Sequence, residues 1–106
     1  MTFIETAEFL KTAQDLLGDD ELGRLQIFLV KYPDTGPVIP GSGGLRKLRW
    51  KAYGKGQRGG LRIIYYWVAS DHLIYLLRAY KKSSQVNLSP DDLRILRRIV
   101  KEIDHE

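Results

Sequence analysis

The run LRIIYYWVA, residues 61–69, constrains what this chain can fold into more than any other segment. Its β-branched and aromatic side chains favour an extended strand, and apolar residues at both parities of the alternation require cover on both faces. A strand of that kind belongs at the centre of a sheet. Its one interruption is Arg62, a guanidinium where the pattern asks for an aliphatic side chain.

The flanking segments supply neighbours for it. From Leu45 to Ala52 the alternation sets Lys47, Arg49 and Lys51 on one face and Leu48, Trp50 and Ala52 on the other. Residues 53–60 hold four glycines, enough to reverse direction, and Ser70, Asp71 and His72 form a tight turn before LIYLLRAY pairs back. The three segments make an antiparallel meander.

Around the meander the chain punctuates itself clearly. FIET reads as a short first strand, with Thr6 capping a helix from about Ala7 to Leu17. Gly18 ends that helix; Asp19 caps a second one, with Leu22, Leu25, Phe28, Leu29 and Tyr32 as its apolar stripe, and Pro33 stops it. The stretch PDTGPVIPGSGG is an irregular crossing loop. LSPDDLRILRRIVKEI opens a last helix with Ser89 as N-cap, Pro90 in the first position and Asp91 and Asp92 in the first turn; Leu93, Leu96, Ile99, Val100 and Ile103 form its stripe. The expected architecture is α+β: a small antiparallel sheet, made of the short N-terminal strand and the meander, with two N-terminal helices and one C-terminal helix packed on one face.

With 106 residues, 43% of them hydrophobic, the chain fits one domain spanning 1–106. Cysteine is absent, which excludes disulfides and thiolate metal sites and suits a reducing compartment. MTFIETAEF carries two glutamates where a secretory signal needs an apolar run, and the stretch 63–69 is too short to cross a bilayer, so a cytoplasmic protein is expected.

Charge is distributed unevenly. Residues 1–40 carry three cations and seven acids, 41–82 carry ten cations and Asp71 alone, and 83–106 carry four cations and five acids; these blocks of −4, +9 and −1 sum to the net +4. A block of +9 attracts polyanions, with nucleic acid the commonest partner and an acidic protein the main competitor. Any single Lys or Arg on an exposed sheet face is ordinarily a solubilising residue. A purely solubilising face mixes both signs, however, and no acid occurs between Asp34 and Asp71.

In strand phase, Lys47, Arg49 and Lys51 can share a face with Arg62, Arg78 and Tyr80, making an open cationic surface rimmed by Lys55, Arg58, Lys81 and Lys82. Arg62 is the sharpest candidate for an exposed anion-binding group, with an ion pair to a helix carboxylate as the alternative. Trp50, Tyr65 and Trp67 fall on the core face; Tyr66 and Tyr80 fall on the cationic one and could stack a base, although packing is the simpler role for Tyr66. His72 and His105 have no plausible catalytic neighbours, metal-ligand clusters are missing, and GKGQRGG lacks the spacing of a nucleotide loop.

Taken together, GGLRKLRW, GKGQRGGLRIIYYW, YLLRAYKKS and LSPDDLRILR resemble the HigB/RelE group of toxins from bacterial type II toxin–antitoxin modules, in the RelE/ParE superfamily. The resemblance covers about residues 43–99 and agrees with the two N-terminal helices. It implies a RelE-like fold and a metal-independent, ribosome-dependent endoribonuclease that cuts mRNA in the ribosomal A site and is held inactive by an antitoxin. Residue by residue the resemblance carries over Lys47 and Arg49 as the basic pair of the family's second strand, Arg62 as the arginine after the paired glycines, and Lys81 or Lys82 as the basic position ending the last strand. Joined with the strand projection, this makes Lys47, Arg49, Arg62, Arg78 and Lys82 the expected catalytic set and Lys51, Lys55, Arg58, Tyr80 and Lys81 the expected RNA- or ribosome-binding set, with no metal and no cofactor. RelE-type members carry a tyrosine just before the last helix; SSQVNLS contains none.

Cleavage would proceed by attack of a 2′-OH on its own 3′-phosphate, with guanidinium groups holding the charge that builds on the phosphoryl oxygens. A lysine neutralised by its cationic neighbours could serve as base. The alternatives are a non-catalytic, ParE-like gyrase poison and a basic nucleic-acid-binding module.

Overall fold

The computed structural model describes residues 1–51, 60–84 and 87–104, and side chains as far as residue 102. Its elements are β1 (Thr2–Glu5), α1 (Ala7–Ala13), α2 (Asp19–Lys31), β2 (Arg46–Trp50), β3 (Leu61–Val68), β4 (Leu73–Lys81) and α3 (Pro90–Asp104), with a 3₁₀ turn at Ala69–Asp71. The sheet runs in the order β1-β4-β3-β2, so the apolar run of β3 lies inside it as its composition requires.

Two expectations about the layers are corrected. The sheet is mixed: β2, β3 and β4 are antiparallel, but β1 runs parallel to β4, with Thr2 opposite Leu73 and Glu5 opposite Leu76. That direction delivers the chain to Thr6, whose amide and hydroxyl both donate to the carbonyl of Leu76 at 3.1 and 2.8 Å. α1 then continues along the edge of β4, where the Thr12 hydroxyl accepts the amide of Ala79 at 3.0 Å. Two threonines thereby satisfy a sheet edge that β1 is too short to cover.

The helices also divide between the two faces. α1 and α2 lie on one, where Phe9, Ala13, Leu17, Leu25 and Leu29 close over Leu48, Leu61, Ile63, Tyr65, Ile74, Leu76 and Ala79. α3 takes the other, setting Leu96 and Val100 against Leu45, Ile64, Leu77 and Tyr80. The physical reason lies in β3 itself: Leu61, Ile63 and Tyr65 are wholly buried on one side and Ile64 on the other, so one layer of helices cannot cover the strand. Each fully buried aliphatic side chain contributes about 1.5–3 kcal/mol, which favours two thin cores over one exposed face.

Element ends follow local chemistry. α1 stops at Ala13, shorter than its apolar stripe suggests, and Leu17 reaches the core from the turn that follows. The N-cap of α2 is Gly18, one residue earlier than expected and without a side-chain bond. β2 is shorter than the alternation over 45–52, ending at Trp50. Gly60, before β3, has φ +66°, and a Cβ there would stand 2.7 Å from the carbonyl oxygen of Trp50, so this position admits only glycine. α3 begins as its sequence indicates: the Ser89 hydroxyl accepts the amide of Asp92 at 3.1 Å, and the Asp92 carboxylate accepts the amide of Ser89 at 3.2 Å, a reciprocal cap.

Candidate nucleic-acid-cleaving site

Register places the candidate residues. Arg49 pairs with Arg62, and Arg62 with Tyr80; Lys47 pairs with Ile64, and Ile64 with Arg78. Two rows thus cross three strands on the face toward α3, in the phase that the alternation predicts. A bulge between Ile64 and Tyr65 leaves Leu77 as the extra residue of β4, which keeps both cores supplied with apolar side chains on either side of it.

The face is not open along its whole width. Arg49 and Lys51 are exposed and Lys47 half-buried, whereas Arg62, Tyr80 and Arg78 are only 5%, 6% and 9% exposed. The expectation of an exposed Arg62 is corrected: it is buried, next to Tyr80, which packs with Leu96 and Val100 of α3. Arg62 Nη1 donates to the carbonyl of Leu61 at 3.2 Å. Lys51 lies just past the end of β2. Lys81 pairs with Leu61, in the register that faces α1 and α2, and Lys82 follows the strand, its amide bonded to the Gly60 carbonyl at 3.2 Å; both side chains are exposed. Lys55 and Arg58 lie outside the described residues, as does His105.

Arg78 is corrected more strongly, from an open anion-binding group to a clasp between two helices. Its Nη2 and Nε reach Glu8 Oε1 of α1 at 2.6 and 2.9 Å, and its Nη1 reaches Asp92 Oδ1 of α3 at 2.6 Å. Burial works against its charge, but its hydrogen bonds to Asp92 and Glu8 outweigh that and raise its pKa above the ordinary arginine value. Glu8 and Asp92 are the residues that strand projection misses. In sequence each reads as an acid in the first turn of a helix, a role that says nothing about which side chain across the sheet it meets. Asn87 escapes it too: its Oδ1 accepts from Lys47 Nζ at 3.4 Å, tying β2 to the approach of α3.

The Tyr80 hydroxyl is the anomaly of the site. It is buried and makes no hydrogen bond among the described residues. Burial pushes its pKa up from 10.0, against the pull of Arg62 and Arg78 beside it. A phenol in that setting keeps its proton at neutral pH and can donate it to an incoming oxygen. Tyr66, on the same face, packs half-buried against the core beneath α3. Among the described residues no group of three or more His, Asp or Glu is placed to hold a metal ion, and no helix is long and apolar enough to cross a membrane.

The remaining aromatics of the β2 edge serve the other core. Trp50 Nε1 donates to Glu21 Oε2 at 3.1 Å, and the second oxygen of that buried carboxylate meets Arg24. Arg46, the first cation of β2, is structural: its Nη1 donates to the carbonyls of Asp34 and Gly36 at 3.1 and 2.8 Å, and its guanidinium lies 5.8 Å from the centre of the Trp67 ring.

The fold and the site together define an α+β protein whose mixed four-stranded sheet, layered between helices, carries a cationic row across its centre. The known architecture of this description is the RelE fold, and this chain has it. An arginine-to-alanine double mutant of the E. coli toxin RelE in the free state superposes with a TM-score of 0.56 at 13% identity, over 80% of this chain and 86% of that one. The intact E. coli RelBE toxin–antitoxin complex gives 0.53 at 15% identity, over 76% and 94%. The isolated E. coli RelE toxin gives 0.52 at 16%, over 92% and 97%. No family model matches the sequence.

Proposed function

We propose that this protein is the toxin of a toxin–antitoxin pair and acts as an endoribonuclease on mRNA at the ribosome. One observation carries the reading: on a RelE fold, the row Arg49–Arg62–Tyr80 aligns two guanidinium groups and a phenol with no partner among the described residues across three adjacent strands. In the reaction, the 2′-hydroxyl gives up its proton to solvent as its oxygen bonds to phosphorus, the bond from phosphorus to the 5′-oxygen breaks, and the leaving oxygen takes up a proton. Arg62 and Arg49 hold the phosphoryl oxygens as their charge grows; Tyr80, kept protonated by its surroundings, donates toward them or toward the leaving oxygen. Lys47 and Lys82 flank the row, and Arg78 acts through position, fixing α1 and α3 on either side of β4. Lys51 and Lys81, with Lys55 and Arg58, contact RNA or ribosome.

Arg62 and Tyr80 are buried here, Tyr80 against Leu96 and Val100 of α3, so the substrate-bound form opens this row to the phosphate. An enzyme whose reactive groups are covered when alone is slow on naked RNA, and the ribosome supplies the missing alignment. An antitoxin is the expected partner, and its acidic residues would relieve the repulsion within the +9 block.

Brief induction of the protein in bacteria, followed by mapping of the 5′ ends of cellular messages, tests the reading. Cuts in coding sequence that keep phase with the reading frame are expected, and Arg62→Ala should lower cleavage by about 100-fold or more. Intact messages on induction of the unmutated protein, or DNA breaks in place of RNA ends, would reject it.

A further inference from the structure

The outward side of α3 holds a feature that neither core nor sheet row uses. Along the helix, Leu96 and Val100 are buried, while Arg94, Arg97, Arg98 and Lys101 are not, and together these four line a shallow cleft of ≈ 250 Å³. Arg94 and Arg98 stand four residues apart, as do Arg97 and Lys101, so both pairs are like-charged neighbours on the helix surface. Each such pair destabilises a helix by roughly 0.2–0.5 kcal/mol, where an acid in either place would have stabilised it. Asp91 pairs with Arg94; Arg97, Arg98 and Lys101 make no ion pair among the described residues.

The chemistry of the stripe selects its partner. Three of the four cations are arginines, whose planar forks match phosphate oxygens two at a time. Residues 94 to 101 span roughly 10 Å of helix axis, about three nucleotide steps of one strand in a duplex. α3 contains no aromatic residue, so it offers no platform on which an unstacked base could rest, which is what single-strand sites supply. An acidic protein would want an aromatic anchor, and among the described residues the one exposed large apolar side chain beside the stripe is Ile95.

We propose that the outward face of α3 is a docking surface for the phosphate backbone of a nucleic-acid duplex, separate from the cationic row of the sheet. This stands whether or not the sheet cleaves RNA. The helix would grip a structured region while the sheet faces a single strand.

The test is the quadruple variant R94Q/R97Q/R98Q/K101Q, with binding followed by fluorescence anisotropy over a series of salt concentrations. The probes are a short RNA duplex and a DNA duplex of the same sequence. None of the four side chains belongs to a core, so the variant should melt at or slightly above the temperature of the unmutated protein. Affinity should fall about tenfold or more at low salt, and the slope of log K against log salt should become shallower by about 3, near 0.9 for each phosphate that is no longer neutralised. A loss confined to the RNA probe assigns the surface to structured RNA, one confined to DNA assigns it to DNA, and an equal loss makes it a general backbone reader. The readout is duplex binding, and message cleavage is not part of it, which keeps this result distinct from failure of the ribonuclease reading. An unchanged slope with both probes would overturn the proposal, as would tighter binding of polyglutamate than of either duplex together with its loss in the variant.

Discussion

Two tyrosines buried on opposite faces of one sheet show how differently the faces are built. Tyr65, toward α1 and α2, is wholly buried and fully satisfied: its hydroxyl accepts the amide of Gly36 at 3.0 Å and donates to the carbonyl of Pro33 at 2.8 Å. Tyr80, toward α3, is almost as deeply buried, yet its hydroxyl has no partner among the described residues. The first face uses its polar groups to fasten the crossing loop to the core. The second buries a phenol without a partner among the described residues beside two guanidinium groups, of which Arg78 is paired with Glu8 and Asp92 and Arg62 donates to the carbonyl of Leu61. The contrast teaches that burial by itself does not separate structural from chemical residues, and neither does an unsatisfied polar atom alone, since the indole Nε1 of Trp67, against the first core, is also buried with no partner among the described residues. What singles out Tyr80 is the pair of arginines, Arg62 and Arg78, beside its hydroxyl.

That contrast can be broken by substitution. The largest effect on stability belongs to Arg78→Ala, which leaves Glu8 and Asp92 facing an empty site; a loss of about 3 kcal/mol in urea unfolding is expected, at the lower end for buried pairs because both carboxylates keep some exposure. A loss under about 1 kcal/mol would mean that the clasp is a surface pair in effect. Next comes Tyr65→Phe, which strands the Gly36 amide and the Pro33 carbonyl and should cost about 2 kcal/mol. Tyr80→Phe inverts the sign: removing an unpaired hydroxyl should stabilise the fold by about 1 kcal/mol while slowing message cleavage by roughly 100-fold. If the two Phe variants shift stability in the same direction, the distinction between the faces fails.

Much of this was legible in the sequence, and the parts that were not share a cause. Alternation gave the strands and their phase, so the rows through Arg49, Arg62 and Tyr80 follow from the positions of Leu48, Ile63 and Ala79 on the opposite parity. Turn and cap chemistry placed α3, down to the role of Ser89. The demand of β3 for cover on both faces already contradicted helices on one side only, and that demand is the stronger signal, since apolar area must go somewhere. Partners distant in sequence could not be read: Glu8 meets Arg78 across 70 residues, and nothing local distinguishes it from Glu5, which stays exposed. The parallel pairing of β1 was hidden for the same reason, because four residues carry no pattern of direction.

The smallest effect, and the finest probe of the two faces, is the alkaline limb of stability. Burial raises the pKa of both Tyr65 and Tyr80 above 10.0, for Tyr65 against the hydrogen bond from the Gly36 amide and the charge of Arg46, for Tyr80 against the charges of Arg62 and Arg78. A raised folded pKa means that above about pH 10 the native protein still holds protons that the unfolded chain has released. Both tyrosines therefore contribute stability that is fully present below about pH 10 and is lost as pH climbs from there through the folded values. The slope should reach at most about 1.4 kcal/mol per pH unit for each tyrosine. Unfolding in urea at successive pH values, with tyrosinate absorbance recorded in parallel, resolves the two contributions, because each Phe variant removes one. Tyr65→Phe should start from lower stability and fall less steeply; Tyr80→Phe should start from higher stability and also fall less steeply. Equal slopes in all three proteins would place both phenols in contact with solvent, and the unsatisfied hydroxyl beneath α3 would then be reached by water rather than held ready for a phosphate.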